Sequence, residues 1–222
     1  MAGELETLDL DDEPLARRVA RHHYDRLLML SDGVFAIAIT LLSLELRPPE
    51  VWSGSLVDLV TGRWRALFGY VFGFFVVGAF WFAHRTLFAR LRRIDTPATV
   101  LSLLLLLLVA MAPATAALVA EHGPVKAIRV YMILVSATGG VQALLWGYAA
   151  FVGDLVDATI ERDERRMIFG QLIIAPVICG LWAALQPKAG APTAPSLIIA
   201  LAAFALLARR ISGRWRRGRT AR

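Results

Sequence analysis

The chain has 222 residues, of which 57% are hydrophobic, and it carries a net charge of +6. A soluble domain contains roughly 45–50% apolar residues, and the excess here falls in runs of about twenty residues, the length that crosses a bilayer. These properties exclude a soluble enzyme and indicate an all-α integral membrane protein. The arginines lie beside the apolar runs, so membrane topology explains the positive charge better than nucleic-acid binding does.

Six apolar segments predict six membrane-spanning helices per subunit. Pro113 and Pro176 fall inside the third and fifth of them, where we expect kinks. These spans form a transmembrane domain at 26–210, between a disordered, charged N-terminal tail at 1–25 and a basic C-terminal tail at 211–222. The predicted spans are 27–46, 64–91, 98–120, 127–152, 167–186 and 196–209.

Basic residues are divided unevenly between the two sides of this predicted bundle. The side with both termini holds arginines in 17–26, 90–93 and 162–166, and seven more near the C-terminus. An excess of Lys and Arg marks the cytoplasmic side, so we expect a multi-pass plasma-membrane protein with both termini in the cytoplasm. The C-terminal arginines are expected to contact anionic lipid. Abundant arginine and alanine are typical of a GC-rich bacterium.

No sequence motif indicates chemistry on a substrate. The one cysteine, Cys179, lies in an apolar run, which favours a small buried side chain and excludes an intramolecular disulfide. The sequence also lacks metal-ligand spacing, a phosphate-binding loop and a nucleophile motif. We therefore expect no enzymatic activity, no metal and no cofactor.

The first span is unusual because polar residues interrupt its apolar sequence, and such residues inside a membrane are costly and often functional. Placing successive residues 100° apart aligns four side chains within about 40° of one line. Thr40 flanks this line, whereas Asp32 lies roughly 140° away from it and needs a partner of its own. The four aligned residues, called here the aliphatic row, are Leu30, Ile37, Leu41 and Leu44.

The second span offers partners for Asp32. His84 lies about as far inside the cytoplasmic end of that span as Asp32 does in the first, so the two match in depth. Trp81 shares the face of His84, and Arg26 reaches inward from the membrane edge. We predict a polar network of Arg26, Ser31, Asp32, Trp81 and His84 that supports the first span. Proton handling is the alternative, since histidine titrates near neutral pH.

The segment at 26–42, RLLMLSDGVFAIAITLL, closely resembles the signature of the transmembrane protein 175 family. That family comprises endolysosomal potassium channels and their prokaryotic homologues. Leu30 stands where the family usually has phenylalanine. Trp81 and His84 resemble the family's second-span pattern, and the six-span layout also agrees.

The resemblance implies a cation channel selective for potassium over sodium that lacks the TVGYG filter, which is also absent here. Prokaryotic members carry one six-span repeat and form tetramers. The single Ser-Asp-Gly signature therefore implies a homotetramer whose first helices line a central pore. The family's hydrophobic constriction aligns with Ile37, Leu41 and Leu44, and its selectivity threonine aligns with Thr40. An aliphatic ring can gate by dewetting, and a hydroxyl ring can replace part of an ion's hydration shell.

Two other classes stay open on the residues alone. A proton-coupled secondary transporter, or a proton pathway, would use Asp32 and His84, although the chain lacks the internal repeat typical of transporters. Passive current reversing near the potassium equilibrium potential would exclude that transporter. A non-conducting scaffold would use the aliphatic row only for packing, and a monomer without ion flux would favour it.

Overall fold

The computed structural model describes residues 15–46 and 54–185, which are helical apart from short loops. Within these residues the backbone forms seven α-helices and one short 3-10 helix. In chain order they are α1 (Leu15–Leu41), the 3-10 helix (Leu42–Glu45), α2 (Leu56–Gly62), α3 (Trp64–Phe88), α4 (Thr96–Ala110), α5 (Ala112–His122), α6 (Pro124–Phe151) and α7 (Arg162–Leu185).

Five helical stretches in the described residues are long and apolar enough to cross a membrane. Each overlaps one of the first five predicted spans, so the all-α membrane fold is confirmed. The sixth predicted span, 196–209, and the tail at 211–222 lie outside the described residues. The observed stretches are Arg21–Glu45, Trp64–Phe88, Thr96–His122, Lys126–Phe151 and Arg162–Leu185.

The first helix begins earlier than the sequence predicts. We expected a disordered tail over 1–25, but α1 starts at Leu15, so residues 15–25 belong to a helix. Residues 1–14 lie outside the described range. The physical reason is local, because Ala and Arg, both strong helix formers, occupy five of its eleven positions, and the stretch contains no Gly or Pro after Pro14. High charge alone therefore does not keep the segment unfolded.

The two intramembrane prolines act differently. Pro113 ends regular α-helix in the third span, where α4 and α5 are separate and the N–H of Met111 bonds to the carbonyl of Leu108. Pro176 lies inside a helix that continues past it. There the Ser136 hydroxyl donates to the Pro176 carbonyl at 2.8 Å, which ties α7 to α6. Regular α-helix is thus interrupted near Pro113 and continuous through Pro176.

Helices α6 and α7 pack closely because glycine removes side-chain volume between them. A Cβ added at Gly139 would lie 3.2 Å from the Pro176 ring, and one at Gly147 would lie 2.9 Å from the Phe169 ring. A Cβ added at Gly140, in contrast, would meet no neighbouring helix within 4 Å in the described part of the chain. The small residues of α6 therefore serve packing at some positions and not at others.

We expect Gly147→Ala to lower the free energy of unfolding by about 1–3 kcal/mol, since the added methyl overlaps the Phe169 ring. Gly140→Ala is the matched control, because it adds the same methyl to the same helix in open space. Thermal unfolding of both variants in one detergent measures the difference. Equal melting temperatures would contradict the packing described for Gly147.

Candidate functional site: the exposed face of the first helix and its polar neighbours

One narrow stripe anchors α1 to the rest of the bundle. Its members recur every three or four residues and are at most 7% exposed. Phe35 and Leu42 pack in a cluster with Phe72 and Tyr131, and a Cβ at Gly73 would lie 2.9 Å from Leu42. The stripe fixes how α1 is rotated about its own axis. It consists of Leu27, Ser31, Phe35, Ala38 and Leu42.

The aliphatic row lies on the surface of the single chain. Ile37 is 60% exposed and Leu44 is 62% exposed, and Leu30 and Leu41 are exposed as well. On a helix, the centre of the row stands roughly 100° from the centre of the buried stripe. Within the described residues, large aliphatic side chains therefore form an exposed face that runs along the length of the first span.

Thr40 lies beside this row, and its hydroxyl hydrogen already takes part in a hydrogen bond. Its Oγ1 donates to the carbonyl of Ile37 at 2.9 Å, and Ser43 Oγ donates in turn to the Thr40 carbonyl at 2.7 Å. A hydroxyl has one hydrogen and two acceptor lone pairs. The exposed Thr40 oxygen is therefore held as an acceptor, which is the polarity that a cation requires.

Asp32 lies on the other flank of the buried stripe and meets the second span directly. The Trp81 indole N–H donates to Asp32 Oδ1 at 2.7 Å. The Arg85 guanidinium lies 5.5 Å from the centre of the Trp81 ring, within the range of a cation–π contact. The Asp32 carboxylate therefore has a hydrogen-bond donor, which a charged group inside a membrane span needs.

The other three predicted network residues are placed differently. Ser31 is buried, but it donates within its own helix, to the Leu27 carbonyl at 2.8 Å. His84 is fully buried with its ring against Phe35 and Phe88, and neither of its nitrogens has a hydrogen-bond partner in the described part of the chain.

Arg26 is exposed and forms no hydrogen bond or ion pair with any described residue. Arg26 precedes Asp32 by six positions, which turns the two side chains roughly 120° apart on the helix. The structure therefore joins Asp32 to Trp81 alone among the five residues of the predicted network. Participation of the others in one network stays a prediction.

Two side-chain contacts beside this site were not predicted from the sequence. Arg85 stacks on Trp81, and the i, i+4 spacing of the pair was the signal that could have identified it. The Tyr24 hydroxyl donates to the Phe88 carbonyl at 2.7 Å and so joins the first half of α1 to the end of α3. No local signal indicates this second contact, because its two residues are far apart in the chain.

Comparisons with known proteins agree with the signature. The family described as "Endosomal/lysosomal potassium channel TMEM175" matches residues 26–113. A potassium channel of Streptomyces collinus is 33% identical over 142 residues, which cover 61% of this chain and 69% of that protein. The human endosomal/lysosomal proton channel TMEM175 is 27% identical over 161 residues, which cover 70% of this chain and 31% of that protein.

A solved structure extends the similarity to the fold. The crystal structure of a lysosomal potassium-selective channel TMEM175 homolog from Chamaesiphon minutus superposes with a TM-score of 0.62 at 28% sequence identity. The match covers 85% of this chain and 98% of that one. The resemblance that the sequence suggests at 26–42 is therefore confirmed over most of the chain.

Proposed function

This chain belongs to the transmembrane protein 175 family and is an ion channel, not an enzyme, and on that premise we propose that it forms a homotetrameric, potassium-selective pore lined by α1. The observation that carries the proposal is the exposed aliphatic row. Within the described part of a single chain these side chains are exposed, whereas four copies around one axis would turn them toward each other.

In this assembly Ile37, Leu41 and Leu44 form the constriction. Rings of aliphatic side chains in a narrow pore exclude water, and an ion that loses its hydration there faces a barrier. The row continues along one helix face, so the part of the pore that excludes water is long as well as narrow. The Trp81–Asp32 hydrogen bond lies away from the row and holds α1 against α3 without entering the ion path.

Thr40 supplies selectivity in this proposal, because four oriented hydroxyl oxygens can replace part of a potassium ion's hydration shell. We expect Thr40→Val, which keeps the branched shape and removes the oxygen, to lower the potassium-to-sodium permeability ratio several-fold. Thr40→Ser, which retains the oxygen, should stay close to the wild type. Bi-ionic reversal potentials measure the ratio, and equal ratios in all three proteins would remove Thr40 from the selectivity mechanism.

The proposal as a whole is tested on purified protein in liposomes. Potassium and sodium flux are measured beside the mass of the same preparation in detergent. We expect passive potassium flux that exceeds sodium flux, and a mass of four chains. Absence of potassium flux where a control ionophore works, or a monomeric mass, would overturn the proposal.

Proton permeation is a second candidate function, favoured by His84. Its two nitrogens are buried without partners among the described residues, and a relative that matches this chain is named a proton channel. We would then expect dye-reported proton flux that His84→Phe abolishes while potassium flux persists, since phenylalanine keeps a ring between Phe35 and Phe88. Saturable flux that requires both ions would instead indicate a proton-coupled transporter.

A further inference from the structure

A cleft of about 430 Å³ opens where α6 ends and α7 begins, on the arginine-rich side of the bundle. It is separate from the face of α1 described above. Its walls combine three arginines, one aspartate and two large apolar side chains. The residues that line it are Ala150, Phe151, Val152, Asp154, Arg162, Arg165 and Arg166.

The floor of the cleft is held in place by Arg165. Its guanidinium donates to the backbone carbonyls of Ile160, Ala150 and Asp157, at 3.0, 3.2 and 3.2 Å. The same loop is tied to the end of α3, because the N–H of Asp157 bonds to the Arg90 carbonyl at 2.9 Å. The cleft is therefore a built feature of the fold and not the gap beside a loose loop.

Two acidic residues of the loop, Asp154 and Asp157, already have partners of their own. Asp154, the one carboxylate among the lining residues, forms an ion pair with Arg92. The Asp157 carboxylate accepts the N–H and hydroxyl of Thr159, which lowers its pKa. Three further carboxylates in the loop and the first turn of α7 do not line the cleft: Glu161, Asp163 and Glu164.

Two arginines of the cleft keep positive charge available. Arg162 forms no hydrogen bond or ion pair with any described residue. Arg166 has only a 3.7 Å contact with Asp163, and both side chains are largely exposed, at 72% and 89%. An exposed pair of this kind contributes little. The cleft therefore offers two guanidinium groups to an incoming anion.

Phe151 and Val152 add an apolar wall at the same place. They are 49% and 74% exposed at the end of a membrane-spanning helix. At that depth the hydrocarbon of a bilayer gives way to its headgroups. Guanidinium groups beside exposed apolar side chains match the two halves of one lipid molecule, its charged headgroup and the start of its acyl chains.

We propose that this cleft binds the phosphate of an anionic phospholipid between Arg162 and Arg166, with Phe151 and Val152 against the acyl chains. Guanidinium groups bind phosphate through paired hydrogen bonds. The exposed apolar wall favours a lipid over a soluble phosphate, which would leave that wall uncovered. The lipid site does not rest on the proposed potassium selectivity. Its arginines are different residues from those of the C-terminal tail.

Native mass spectrometry of the intact protein with short-chain phosphatidylglycerol tests the proposal. We expect Arg162→Gln and Arg166→Gln each to weaken binding several-fold. Arg93→Gln removes the same charge from an exposed arginine outside the cleft and should leave binding unchanged. Phosphatidylcholine should bind weakly to all four proteins. Matching elution volumes and melting temperatures check that the variants are folded.

Three outcomes would overturn the proposal. Equal phosphatidylglycerol binding by the wild type and both cleft variants would place the lipid elsewhere. Equal binding of phosphatidylcholine and phosphatidylglycerol would remove the role of the headgroup charge. Displacement of phosphatidylglycerol by inorganic phosphate at equal concentration would assign the cleft to a soluble anion.

Discussion

Replacing Ile37 with asparagine is expected to raise ion flux and to weaken discrimination between potassium and sodium. The side chain belongs to the aliphatic row and is 60% exposed on the single chain. In the proposed tetramer, four amides would hydrate a constriction that otherwise excludes water. If this lowers the barrier by about 1.4 kcal/mol, flux rises about tenfold. Single-channel conductance and reversal potentials in planar bilayers measure both effects.

The matched control is Ile133→Asn. Ile133 lies on α6 and is 52% exposed, so the same substitution is made at similar exposure outside the aliphatic row. It should leave conductance and the permeability ratio unchanged. If the two variants behave alike, Ile37 has no special relation to the ion path and the proposed constriction is wrong.

Breaking the hydrogen bond between Trp81 and Asp32 should have a second large effect, on both ion flux and assembly. Trp81→Phe removes the indole donor, and Asp32→Ala removes its acceptor, which lies 2.7 Å away. Each change removes one of the contacts that hold α1 against α3, so we expect reduced potassium flux and a less stable tetramer. A hydrogen bond to a charged group contributes about 1.5–3 kcal/mol. The double variant should therefore be less destabilised than the sum of the two single variants, by about that amount.

Thermal unfolding of the four proteins of this cycle measures the coupling. Trp182→Phe is the control for loss of an indole, since Trp182 forms no hydrogen bond with any described residue. Asp32→Asn keeps an acceptor oxygen and separates the hydrogen bond from the charge. Additive effects of the single changes would show that the contact does not support α1.

The spans and the faces of α1 could be predicted from the sequence because both depend on local properties. Apolar runs of sufficient length predict membrane helices, and a 100° repeat predicts which side chains share a face. The predicted spans at 64–91 and 127–152 end close to the observed Trp64–Phe88 and Lys126–Phe151. Prediction failed for 15–25, where high charge suggested disorder and helix propensity prevailed.

Contacts between helices depended on tertiary structure. Asp32 and Trp81 are 49 residues apart, and their bond requires α1 to be rotated so that Phe35 and Leu42 are buried. In the same orientation of α1, Ser31 is buried and bonds to a carbonyl of its own helix. Arg26 lies on a different side of the helix from Asp32. The matching depth of Asp32 and His84 was therefore not enough to predict which polar groups meet, because depth says nothing about rotation.

The amino-acid sequence was enough to identify an all-α membrane protein with an aliphatic row and a recognisable signature on its first span. Only the packed structure reveals which polar groups meet, that His84 lies between two rings without a hydrogen bond to any described residue, and that Arg162 and Arg166 line a cleft. The two kinds of feature differ in this way because they depend on different sets of residues. Span length and periodicity depend on neighbours in the chain, whereas polar contacts depend on how each packed helix is turned.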